Sequence, residues 1–359
     1  MRLRSIALVP MIIALVLVSA LPALAQGSDL AAAVNWLKSK QAADGGFSDG
    51  FSDGSSAPAT AEAVLAAAAA GQDTSTWGSP SPLDYLAAQA PTLNESGPLA
   101  KTILAVTAAG LDPANFAGTN LVQKLQGTYN ADAGAFKGLV NDHAFGILAL
   151  NAAGAEIPAK ATATLEGLQA DDGGWSFDGQ SQSDTNSTAV AIQALLAGGR
   201  AATSEPITKA LAFLKTQQNE DGGFPYSKPN QFGTATDANS TAYVIQALLA
   251  SGQNLADWKN PDKALAALQL PEGAFEYQTG QGANYLATAQ AVPALAGTTF
   301  VKLPKVSAAK APAAAPATAP ATLPTTGSAG PSPLLLLLGG LVLLLAGTRL
   351  ARSGRAGER

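Results

Sequence analysis

Six alanine-rich apolar runs, each closed by a glycine, follow one another between residues 29 and 299. They end at Gly71, Gly110, Gly154, Gly199, Gly252 and Gly297. Glycine just past a helix adopts the left-handed conformation that closes it, so each marks a helix C-terminus. Inside the runs the spacing is helical, as at Thr188, Ile192 and Leu195 or at Thr241, Ile245 and Leu248. The runs are hydrophobic nearly all round, which predicts helices buried on both faces. A second set of helices is predicted ahead of them, with apolar positions at 36–37, 83–86, 121–125 and 264–268. Pro293 lies inside the sixth run and predicts an interruption there. The pattern as a whole predicts six helical hairpins.

A turn motif joins the two helices of a hairpin. Gln169, Asp172, Gly173, Gly174 and Trp175 recur as Gln218, Asp221, Gly222, Gly223 and Phe224, and again as Gln41, Asp44, Gly45, Gly46 and Phe47. Gln269, Glu272, Gly273 and Phe275 form a weaker copy, and Asp132, Gly134 and Phe136 keep part of another. Self-similarity at a fixed period marks a repeat architecture. The Q-x-x-D-G-G-[FW] signature resembles the repeat of the squalene cyclase, terpenoid cyclase and protein prenyltransferase superfamily over residues 29–299. That resemblance implies an all-α fold, an α/α toroid with six inner and six outer helices alternating along the chain. It also implies structural duties for the motif, which makes the turns and hydrogen-bonds between helices. Gly174 and Gly223 are expected to serve a positive φ. Fold does not fix activity.

The two ends of the chain carry other signals. Residues 1–25 read as a secretory signal peptide, with Arg2 and Arg4 before an apolar centre and Ala23-Leu24-Ala25 as the cleavage site. Residues 300–322 form an Ala/Pro-rich linker expected to be an extended spacer. In 323–359, Leu323, Pro324, Thr325, Thr326 and Gly327 precede an apolar transmembrane segment at 333–347 and a basic tail. This order resembles the L-P-x-T-G sorting signal, which implies a sortase-type transpeptidase that cuts after Thr326 and joins it to the cell envelope. A plain C-terminal membrane anchor is the alternative, and both place the toroid at the cell surface. The net charge of −5 argues against a nucleic-acid partner. With no cysteine, disulfides and zinc–thiolate sites are excluded. No metal or cofactor is expected, because the aspartates of 44–54 lack the order of a calcium-binding EF-hand loop. The toroid is expected to be a monomer.

Polar residues concentrate just before the inner helices: Asp142 and His143, Asp184 and Asn186, Asp237 and Asn239, Asn284 and Tyr285. If the inner helices run parallel, these eight form a ring at one mouth, where helix N-termini present free N–H groups and positive dipole ends. They are the candidate ligand-binding residues, although Asp, Asn and Ser are also the preferred helix caps. No catalytic residue is assigned. The D-x-D-D acid of proton-initiated terpenoid cyclases is absent, as are the cysteine-containing zinc set of prenyltransferases and the reactive cysteine of thioester toroids. His143, the sole histidine, is a general-base candidate beside Asp142. The expectation is a non-catalytic surface protein taking a small or apolar ligand, or a partner, in the cavity or mouth. Cobalamin carriers resemble it as extracellular toroids that bind rather than catalyse, but they close a β-rich domain over the ligand and none follows Thr299. The alternatives are a divergent terpenoid cyclase or prenyltransferase-like enzyme, and a surface interaction module.

Overall fold

The computed structural model describes residues 28–51, 53–231, 233–306 and Pro312. The signal peptide, the sorting signal, segment 333–347 and most of the linker therefore lie outside the described residues. Among the described residues, twelve helices alternate between two layers. The inner helices are α2 (Ala57–Ala69), α4 (Ser96–Ala108), α6 (Val140–Ala152), α8 (Thr185–Ala197), α10 (Ala238–Ala250) and α12 (Tyr285–Leu295). Each packs on the next, and α12 packs back on α2, so the ring is closed. Alanine stands five residues past the N-cap in all six, at Ala61, Ala100, Ala144, Ala189, Ala242 and Ala289, and every one is fully buried. A methyl group at that level lets neighbouring helices approach closely. Helix α12 runs on through Pro293 rather than breaking there. Its ring lies late in the helix, and its carbonyl accepts from the N–H and Oγ1 of Thr298.

The outer helices are α1 (Leu30–Lys38), α3 (Pro82–Gln89), α5 (Leu121–Gln126), α7 (Ala159–Gly167), α9 (Glu205–Gln217) and α11 (Pro261–Ala266). Helix α1 lies against both α12 and α2, α7 against α6 and α8, and α11 against α10 and α12. The hydrophobic core fills the space between the two layers. Two short antiparallel ribbons decorate the turns: β1 (Tyr129–Asn130) with β2 (Ala135–Phe136), and β3 (Phe275–Glu276) with β4 (Ala283–Asn284). In the first and fourth hairpins the same pairing shrinks to single bridges, Phe47 to Ser56 and Trp175 to Asp184.

Each turn motif fastens its hairpin to the next one. The Nε2 of Gln169 donates to Gly173 O in its own turn and to Pro206 O at the start of α9. Gln41 does the same to Gly45 O and Pro80 O, and Gln218 to Gly222 O and Trp258 O. In the sixth hairpin Gln269 reaches Asp29, accepting from its N–H and donating to its carbonyl, both at 2.8 Å. That exchange joins the last turn to the first helix and locks the toroid shut. The motif aspartates hold their own turns, as Asp172 does by accepting from Gly174 N and Ser183 Oγ.

The two motif glycines have different reasons. Gly173 and Gly222 adopt φ of +88° and +92°, whereas Gly174 and Gly223 do not need a positive φ. The expectation for the second glycine is corrected: it is there for space, since a Cβ on Gly174 would lie 2.6 Å from Ser183 Cβ. A second correction concerns residues 300–306. Phe300 is buried and Val301, Leu303 and Val306 pack on the core, so the linker begins later than its composition implies.

Candidate functional site

Counting from the N-cap puts one face of every inner helix on the ring axis. The sixth residue past the cap is Glu62, Lys101, Phe145, Val190, Tyr243 and Gln290 in the six helices, and all six line one cavity of about 810 Å³. The inner helices are therefore parallel, with their N-termini at one mouth. At 1.5 Å per residue this layer lies about 9 Å below the caps.

The layer forms a floor. Lys101 crosses the axis from α4 to α10, placing its Nζ 2.6 Å from Glu62 Oε1 and 3.3 Å from the Tyr243 hydroxyl. The same ammonium lies 4.0 Å from the centre of the Phe145 ring and 5.4 Å from that of Phe300. Burial acts to lower the Lys101 pKa, but Glu62 and Tyr243 together outweigh it and hold the amine well above its ordinary value. Burial pushes Tyr243 up to about 12, against the pull of Lys101. Beneath the floor a strap, residues 298–306, crosses the other end of the ring. Phe300 N donates to Gln193 Oε1, Asn151 Nδ2 to Val301 O, and Val306 N to Ala108 O. Phe300 stands edge-on to Phe145 at 5.4 Å, and a gap of only about 10 Å³ remains below. The toroid is a cup with one open end.

The structure distributes the eight candidate residues unevenly. Asp142 and Asn186 line the cup. Asn239, next to it, donates its Nδ2 to Gln290 Oε1 at 2.5 Å. Asp184 and Asp237 are buried N-caps, each accepting from the N–H and Oγ of the serine three residues on. Burial raises their carboxyls to about 6 and about 7, against hydrogen bonds from those serines and from Tyr226 and Tyr277. Asn284 caps α12 through Ala287 N, and Tyr285 is buried, donating its hydroxyl to Ala59 O and stacking on Phe47. These four serve the fold.

His143 is the clearest correction to the base hypothesis. In four hairpins the fourth residue past the N-cap is a threonine whose Oγ1 accepts the N–H of the motif aromatic: Thr60 with Phe47, Thr188 with Trp175, Thr241 with Phe224 and Thr288 with Phe275. His143 occupies that position in the third hairpin. Its Nδ1 accepts from Phe136 N at 3.2 Å and its Nε2 donates to Ala161 O at 3.0 Å. Burial lowers its pKa, so the ring is neutral with both nitrogens engaged, and no lone pair is left to take a proton.

Asp142 sits at the rim, where its Oδ2 accepts from Leu139 N at 2.8 Å. Burial raises its pKa and the nearby Glu95 adds to the rise. The residues that sequence reasoning passed over, Glu62, Lys101 and Gln290, lie one turn inside the helices rather than before them. Counting six from each cap would have found them.

The closed double ring of inner and outer helices defines a class by fold, the α/α toroids. The sequence profile of the family described as eukaryotic cobalamin-binding protein matches residues 83–326, more than half of the chain, and the chain belongs to that family. The prenyltransferase alpha-alpha toroid domain matches residues 4–94. Drimenyl diphosphate synthase of Streptomyces showdoensis is 43% identical over 74 residues, 21% of this chain and 14% of that enzyme, so the chain spans about a seventh of its length. Among solved structures, the type II terpene cyclase MstE from Scytonema superposes with a TM-score of 0.57 at 15% identity, covering 74% of this chain and 96% of that one. An unsaturated glucuronyl hydrolase specific for heparin gives 0.57 at 10% identity over 75% and 94%. At such identities the likeness is one of fold.

Proposed function

We propose that this protein is a surface receptor whose cup holds a small, apolar-bodied ligand without converting it. The observation that carries the reading is the floor: the one carboxylate on it, Glu62, is committed to Lys101 at 2.6 Å and is no free proton donor. A cup of about 810 Å³ that is closed at one end suits capture of a compact ligand. Membership of a family described by ligand binding supports the reading. The local identity to a drimenyl diphosphate synthase and the terpene-cyclase fold point to terpenoids as the first ligands to try. Mass spectrometry of protein purified from its native cells tests this. A stoichiometric, unmodified small molecule is expected, with cobalamin as a control; a protein that arrives empty and binds neither terpenoids nor cobalamin refutes it.

A second reading, a divergent terpenoid cyclase, is favoured by the same local identity. Its proton would have to come from Asp142, the cavity carboxyl whose pKa burial raises. Cyclised product from a linear prenyl substrate, lost in Asp142→Asn, would establish it over the receptor. The anchoring proposal rests on sequence motifs alone. Thr326→Ala is expected to remove the protein from the covalent wall fraction while its folding is unchanged, and retention there would leave the motif without a role.

A further inference from the structure

The cup is acidic at its rim and rich in hydrogen-bond donors on one wall. Its charged lining is Asp49, Glu62, Glu95 and Asp142 against Lys101 and Lys137. Lys101 is neutralised by Glu62, which leaves three carboxylates facing one lysine. The dipole ends of α4 and α6 give an anion no foothold, because Glu95 stands at the N-cap of one and Asp142 in the first turn of the other.

The donors stand on the opposite side. Gln290, 5% exposed, lines the cavity, and its Oε1 is taken by Asn239 Nδ2 at 2.5 Å. An amide fixed through its oxygen keeps its NH2 for another partner, and Gln290 borders the cup. Asn186, 4% exposed, also lines the cup, with its Oδ1 3.3 Å from Thr185 Oγ1 and its amide nitrogen uncommitted. Tyr243 accepts from Lys101 and keeps its O–H for a ligand. A donor that an inserted ligand cuts off from water without offering an acceptor is costly, so this wall favours a ligand with an oxygen.

Resting on the receptor reading, we infer that the ligand is neutral and carries a hydrogen-bond-accepting oxygen at its inserted end, read by Gln290 and Asn186, with Asn239 as the positioning residue for Gln290. A prenyl diphosphate is the wrong class. A hydrocarbon would bury these donors unpaired, and an ester, ketone or ether of the same chain would satisfy them.

Three probes with one farnesyl skeleton test the assignment on the purified chain by calorimetry: β-farnesene, farnesyl acetate and farnesyl diphosphate. Farnesyl acetate is expected to bind at least about tenfold tighter than either of the others, as one hydrogen bond to an otherwise unpaired buried group allows. Gln290→Met, close in size and without the donor, should erase the preference for acetate, with acetate weakened and farnesene bound at least as tightly as by the wild type. Asn239→Ala should weaken the preference for acetate by freeing the Gln290 amide to turn. Diphosphate binding tightest, or farnesene equal to acetate in the wild type, overturns the inference whatever the variants do. The second result leaves the receptor standing, whereas failure of all three probes to bind folded protein removes the receptor reading and this inference together.

Discussion

A buried charge is tolerated only while its partner is present, which makes Lys101 and Glu62 the most informative pair in the chain. Lys101→Met leaves the Glu62 carboxylate in the cup without its cation and should destabilise by about 3–5 kcal/mol. Adding Glu62→Gln should recover most of that loss, because the stranded charge is gone. Chemical denaturation of the two single variants and the double variant reads the coupling; additive losses would mean that the pair is not coupled. A pH prediction comes from Asp184 and Asp237, whose folded carboxyls are raised to about 6 and about 7. Both are protonated in either state below about pH 4, where they contribute nothing. From there to about pH 7 the folded state holds protons that the unfolded state has released, so these groups make stability fall as pH rises. The neutral His143 acts in the opposite sense near its ordinary pKa, which makes the difference between proteins the clean readout. The melting temperature of the Asp184→Asn, Asp237→Asn variant, relative to wild type, should climb from pH 4 to pH 8. A flat difference would show that the two carboxyls titrate normally.

At the scale of the element, the turn motif separates strain from space. Gly173→Ala forces a side chain into φ +88° and places its Cβ 2.7 Å from the Lys209 carbonyl oxygen. Neither can relax, so a loss above about 1 kcal/mol is expected, with no nearby side-chain change able to repair it. Gly174→Ala meets only Ser183 Cβ at 2.6 Å and the edge of the Phe213 ring at 3.0 Å, so Ser183→Gly should restore part of its melting temperature. Equal behaviour of the two variants would erase the distinction. The fold was legible in the sequence because these elements repeat: glycine ends, alanine at the fifth position and Q-x-x-D-G-G turns recur at a fixed period. The site was less so. A cap such as Asp184 and a wall residue such as Asn186 stand two positions apart with the same polarity, and only the helix phase separates them. Lys101 interrupts an apolar run once, without a repeat to flag it. His143 drew attention as chemistry, yet it does the work of a repeat threonine.

For the whole molecule the decisive feature is that the ring is closed twice, once around its circumference and once across its base. The circumference is closed by Gln269 and Asp29, the base by the strap at 298–306. The strap leaves α12, passes under the axis and reaches α4 at Ala108, touching α8 and α6 on the way. It is held by three hydrogen bonds, by the packing of Val301, Leu303 and Val306 on the core, and by its one aromatic side chain, Phe300, whose ring supports both Phe145 and Tyr243 from below. Phe300→Ala should therefore destabilise by about 3–5 kcal/mol, the usual range for emptying a buried aromatic site. The helices of the ring pack on one another without it, so far-ultraviolet circular dichroism at room temperature should not change. What should change is access to Lys101. Its ammonium is shielded from below by the Phe300 ring, and removing that ring opens a path to the amine from the base. Acylation of Lys101 by a water-soluble amine reagent, followed by peptide mass spectrometry, is expected to rise several-fold in Phe300→Ala while exposed lysines such as Lys209 react as before. Unchanged labelling of Lys101 would mean that the floor closes without the strap, and that the cup owes its closed end to the inner helices alone.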